Sequence, residues 1–92
     1  LLENTGVTIN ALHPASLMNT TMVELMEREP RSTVDEGATA LMQLAVSPDL
    51  AGRSGLYFRG LIEDKADDQA YDASAREQLD VLSRKLVGLP PR

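Results

Sequence analysis

Ninety-two residues make one small domain, which buries a smaller share of its surface than a full-sized one. Hydrophobic residues at 42% and charged residues at 25% are ordinary for a globular protein, and a net charge of −5 leaves no basic surface to neutralise nucleic-acid phosphates. The lack of cysteine excludes a disulfide framework and a thiolate metal site and fits a cytoplasmic setting, and no apolar run approaches the roughly 20 residues of a membrane span.

In chain order, Leu1 to Thr5 reads as the end of a preceding helix and a turn, with Gly6 as its stop. Val7, Ile9, Ala11 and Leu12 form the apolar run of a strand buried on both faces of a parallel sheet, which predicts a strand over Val7–Leu12. Pro14 cannot donate to a ladder and restricts the residue before it, so the strand ends near His13. Ligands of open α/β sheets sit beyond the carboxyl ends of strands, which puts Ser16, Asn19, Thr20 and Thr21 in a binding-loop position. Asn19 or Thr20 can cap a short helix over Thr20–Arg28, ended by Pro30.

The next predicted helix, Val34–Val46, is better signalled. Ser32 or Thr33 supplies its N-cap, Glu36 is the capping-box partner of Thr33, and Asp35 and Glu36 favour the positive end of the helix dipole. Val34, Ala38, Leu41 and Ala45 form its apolar stripe, Leu44 widens it, and Gly37 and Ala38 are small enough for close packing on a sheet. Ser47-Pro48 ends the helix, and Gly55 and Gly60 bound a second short strand, Leu56–Phe58. Glu63 to Asp72 reads as acidic and irregular. A last helix, Asp72–Val87, carries Ala75, Leu79, Leu82 and Leu86 on one face, with Asp72–Arg76 and Asp80–Arg84 as i, i+4 pairs and Gly88 as its stop. The two strands are expected to pair in parallel, joined by the Val34–Val46 crossover.

The stretch Gly6-Val-Thr-Ile-Asn-Ala-Leu-His-Pro14, with Thr20 beyond it, resembles the late strand and following loop of the short-chain dehydrogenase/reductase family. That family commonly reads Gly-Val-x-Val-Asn-x-(Leu or Ile)-x-Pro-Gly with a threonine a few residues on. Gly6, Val7, Asn10, Leu12, Pro14 and Thr20 match in kind, whereas Ala15 stands where glycine is usual and the threonine comes one residue late. Glu36-Gly-Ala38, Leu44-Ala45, Ser47-Pro48 and Gly52-Arg-Ser-Gly-Leu-Tyr-Phe58 extend the resemblance over most of the chain, which most resembles the retinol-dehydrogenase-like branch.

The resemblance implies an α/β fold, the carboxy-terminal part of a Rossmann-like doubly wound parallel sheet with two strands and about three helices. It implies NAD or NADP as cofactor and a small-molecule alcohol/carbonyl pair as substrate. On it, Pro14 and Ala15 offer backbone beside the nicotinamide, and Thr20 contacts the carboxamide with Thr21 or Asn19 next in line. Met18 and Met22 are candidates to line the substrate pocket, because methionine adapts to irregular apolar shapes.

Other parts of that family's machinery are not in this sequence. Its six glycines nowhere fall into a dinucleotide fingerprint. The Tyr-x-x-x-Lys dyad is missing too, since Leu61 follows Tyr57 and Ala75 follows Tyr71 at the required spacing, and Lys65 has no tyrosine partner. Opening on Leu1, the chain reads as residues 1–92 of the carboxy-terminal segment of one oxidoreductase domain, inactive by itself. No catalytic residue and no metal site is expected within it. A lone His13 suits a structural role, and Glu63 to Asp72 lacks the spacing of a calcium loop. From local sequence alone Thr20 and Thr21 read first as helix caps, and Met18, Met22 and Met26 also read as ordinary packing, Met26 above all because it lies farthest from the strand end. The other functional class is a non-catalytic relic or a partner-binding fragment. Leu12, Leu41 and Leu79 faces without the rest of a sheet point to low stability or to a homo-oligomer.

Overall fold

The computed structural model describes residues 4–92, so the helix end expected at Leu1 to Thr5 lies largely outside the described residues. The elements in order are β1 (Ala11–His13), α1 (Thr21–Leu25), α2 (Val34–Val46), β2 (Tyr57–Arg59), β3 (Ile62–Asp64) and α3 (Ala73–Val87), with 3₁₀ turns at Pro48–Leu50 and Asp68–Tyr71. β1 pairs in parallel with β2, Leu12 opposite Phe58, and β2 pairs antiparallel with β3, Arg59 opposite Ile62. The α/β class and the parallel crossover through α2 are as expected. The sheet, however, is mixed and among the described residues has three strands in the order β1-β2-β3 where two were expected.

The third strand occupies the segment that reads as irregular and acidic. Gly60-Leu61 makes a two-residue turn, and Gly60 takes φ of +61°, the conformation a tight hairpin turn asks of its first central residue. Arginines on and before β2 offset the acidic charge: Arg59 Nε lies 3.1 Å from Asp64 Oδ2, and Arg53 Nη2 lies 2.8 Å from Glu63 Oε2.

β1 is shorter than the expected Val7–Leu12 because side chains replace part of the backbone ladder in the run before it. Ile9 donates its N–H to Ser54 Oγ at 3.0 Å, and Gly55 donates to the Ile9 carbonyl at 2.8 Å. The Asn10 carboxamide accepts from the Leu56 N–H at 2.9 Å and donates to the Arg53 carbonyl at 3.1 Å. α1 also stops short of Arg28, since Glu27 takes a φ of +52°, outside helical space.

α2 has the expected ends. Thr33 Oγ1 accepts from the Glu36 N–H at 3.1 Å, satisfying one of the orphan donors of the first turn. Its buried face is a correction to the expected stripe. Gly37 and Ala40 are buried, whereas Val34 and Leu41 are exposed and Ala38 and Ala45 stand open to solvent. Small residues let the helix approach β1 and the loop after it, which turns the larger side chains outward. Leu41, Leu44 and Ala45 then line an open groove of about 380 Å³ against Thr8, Ile9 and Asn10.

α3 has no buried residue and packs on the 3₁₀ turn that precedes it. Asp72 caps it by accepting from the Ser74 N–H at 2.9 Å and the Ala75 N–H at 3.3 Å, so the expected Asp72–Arg76 pair gives way to a cap, and Arg76 donates instead to the Ala70 carbonyl. Asp80–Arg84 does form, at 3.2 Å, and Arg92 folds back to the same carboxylate at 3.0 Å. The Arg92 hydrogen bond, and then the charges of Arg92 and Arg84, hold the Asp80 carboxyl below its ordinary value of 3.8. A depressed carboxylate stabilises the folded state above its unfolded pKa and loses that contribution as pH falls through the folded one. Acid titration followed by NMR is thus expected to release Arg92 from α3 only below about pH 3.8, without melting the helix. Among the described residues, no helix is long and apolar enough to cross a membrane.

Among the described residues the buried hydrophobic ones are Val23 of α1, Ala40 of α2 and Phe58 of β2. They make a thin core, with α2 packed on β1 and on the loop that follows it.

Candidate functional site

That loop, from Pro14 to Thr20, leaves the carboxyl end of β1, where open α/β sheets hold their ligands. Its two flanks grip it. On the hairpin side, the Gly60 N–H donates to the His13 carbonyl at 2.8 Å. On the α2 side, the Ser32 hydroxyl donates to the Ser16 carbonyl, Arg31 N–H to the Leu17 carbonyl at 2.9 Å, and Asn19 N–H to the Ser32 carbonyl at 3.1 Å. The Asn19 side chain accepts from the Val34 N–H at 2.9 Å, so the loop itself satisfies a donor of the first turn of α2. Leu17 pays for this course with a φ of +46°, a strained conformation for a leucine.

The expected site residues fall within or beside this loop. Pro14 and Ala15 form its first bend and are half-buried. Thr20 is half-buried at the N-cap of α1, where Oγ1 accepts from the Val23 N–H at 3.4 Å. The hydroxyl proton is left over by that bond, so capping and donation to a ligand are compatible. Met22 projects from the first turn of α1 and is 71% exposed. Met18 does not share that position. Its sulfur lies against Gly37, where a Cβ would come within 2.6 Å of Sδ.

Arg31, Ser32, Gly37, Asn19 and Gly60 all help to shape the loop, and of these only Asn19 stands out in the sequence as a site residue. Their signal was indirect: a glycine in the first turn of a well-capped helix, and a glycine between two charged strands. Gly37→Ala tests the first of these. Alanine raises helix propensity by about 1 kcal/mol, and the atoms it would meet are the sulfur and methyl end of the flexible Met18 side chain, which can move aside. The net expectation is an unchanged or slightly higher melting temperature, with Met18 displaced from the loop; a clear fall would show that Met18 is held rigidly against α2.

Among the described residues, no group of three His, Cys, Asp or Glu side chains is placed to hold a metal ion. No protein-family model matches the chain. No solved structure matches it significantly. Among curated proteins, the chain is 33% identical to the WW domain-containing oxidoreductase of Danio rerio, over 89% of this chain and 22% of that protein. It is 34% identical to retinol dehydrogenase 14 of Mus musculus and 33% identical to that of Homo sapiens, in both cases over 96% of this chain and 30% of the relative. The chain is therefore similar along nearly all its length to proteins named as oxidoreductases, and it spans less than a third of the length of each.

Proposed function

We propose that the chain is the carboxy-terminal segment of an NAD(P)-dependent short-chain oxidoreductase acting on an alcohol/carbonyl pair. The observation that carries this reading is the gripped loop at the carboxyl end of a parallel strand, in a chain similar to a retinol dehydrogenase over 96% of its length. In this reading Pro14 and Ala15 present backbone beside the nicotinamide, and Thr20 donates its spare hydroxyl proton to the carboxamide. Met22 faces the substrate from α1, while Met18 builds the wall between the loop and α2. The nicotinamide supplies the hydride chemistry, and these residues orient it and limit the water around it. Proton transfer falls to residues outside this chain, which has no Tyr-x-x-x-Lys.

The exposed apolar surface of α2 and α3 also suits a partner-binding fragment without catalysis. Recovering the coding sequence upstream separates the two. A Gly-rich dinucleotide loop and a Tyr-x-x-x-Lys in frame, with NAD(P)-dependent turnover of an alcohol by the expressed whole, support the oxidoreductase. A whole protein with neither motif and no turnover overturns it.

A further inference from the structure

The bend at Pro14–Ala15 is closed by a side-chain bond that neither the cofactor assignment nor the helix caps require. His13 Nε2 lies 3.0 Å from Ser16 Oγ, spanning the two residues between them. The backbone carbonyls of the same two residues are held by different elements, His13 by the Gly60 N–H of the hairpin turn and Ser16 by the Ser32 hydroxyl before α2. The bend is thus fixed at both ends, and His13–Ser16 is the crosspiece between the anchors. Pro14 has its φ set by its ring, and Ala15 packs near Gly37, so the crosspiece acts on the remaining freedom of the bend.

We propose that His13 is a positioning residue for the nicotinamide-side loop, acting through Ser16 to hold the Pro14–Ala15 backbone in its binding conformation. The inference rests on the proposed function for the identity of the ligand. Both side chains are exposed, so water replaces their bond readily on unfolding and the bond adds little to stability. Its effect lies in preorganisation, which appears in binding.

The test uses the complete protein that carries this segment, with NAD⁺ and NADP⁺ as probes in equilibrium titrations and melting temperature measured alongside. His13→Ala and Ser16→Ala are each expected to weaken cofactor binding about three- to tenfold at an unchanged melting temperature. The double variant is expected to be no worse than either single one, because one bond is lost in each case. His13→Gln places an amide nitrogen near the position of Nε2 and recovers the affinity, whereas His13→Asn places it near Nδ1 and does not. Normal binding by His13→Ala, additive losses in the double variant, or a binding loss that tracks early melting would each overturn the inference while leaving the proposed function standing. A wild-type protein that binds neither cofactor overturns the proposed function, and this inference falls with it.

Discussion

Purified alone, the 92-residue chain is expected to show no turnover of any alcohol or ketone with either nicotinamide cofactor, and to self-associate. The first half follows from chemistry, since hydride transfer at an alcohol carbon needs a partner for the hydroxyl proton, and no Tyr-x-x-x-Lys is present. The second half follows from surface. A compact protein of this mass exposes about 5,200 Å², whereas this chain exposes 7564 Å². Its radius of gyration is 16.7 Å, against about 12 Å for a compact domain of this length. Large apolar side chains contribute to the excess: Leu79, Leu82, Leu86 and Val87 on α3, and Leu41, Met42 and Val46 on α2, are all more than half exposed. Such a surface is covered by other protein or drives association. Sedimentation and dye-binding measurements across a concentration series check this. A monodisperse monomer with a cooperative melt and measurable turnover would sink both halves.

In the complete protein that carries this segment, the proposed function predicts that Thr20→Val weakens NAD(P) binding by about 1–3 kcal/mol, roughly five- to a hundredfold or more. Valine keeps the shape of the side chain but removes the hydroxyl, leaving the carboxamide short of a partner. Ring placement is disturbed as well, so the hydride-transfer rate falls with affinity. Thr20 also caps α1, and loss of a cap costs typically about 1 kcal/mol. The two contributions separate by readout, because capping lowers the melting temperature while leaving cofactor affinity intact in the folded protein. Thr21→Val and Ser16→Ala serve as comparisons, and Thr21→Val is expected to be nearly silent in both measurements. A Thr20 variant that melts early and binds normally would return this residue to a capping role alone.

The parts of the fold legible in the sequence are those fixed by local chemistry. α2 runs over its expected residues because Thr33 and Ser47-Pro48 set its ends, and α3 starts one residue late only because Asp72 is its cap. The parallel pairing was also legible, since a crossover helix between two short apolar runs leaves little alternative. β3 was not, because Ile62-Glu63-Asp64 carries two acids and has no alternating pattern, and it becomes a strand by pairing with β2, with Arg53 and Arg59 near enough to offset its charge. Nor was the early end of α1, for nothing in the identity of Glu27 announces a positive φ. The site was legible as a place, a loop after Pro14, but not as a construction. Its grips from Arg31, Ser32 and Gly60 are contacts between segments far apart in the chain.

Asn10 limits how this sequence can drift. Its carboxamide behaves as an extra peptide unit between the run before β1 and the approach to β2, one face accepting from Leu56 and the other donating to Arg53. Aspartate has the right size but no N–H, so the Arg53 carbonyl would face a carboxylate. Leucine has the right shape but makes neither bond and leaves both backbone groups to water. Glutamine carries the correct groups on a stem one carbon too long. Asparagine thus ties the two approaches together at a reach these replacements miss, whereas the side chain of the exposed Ala11 beside it makes no such link.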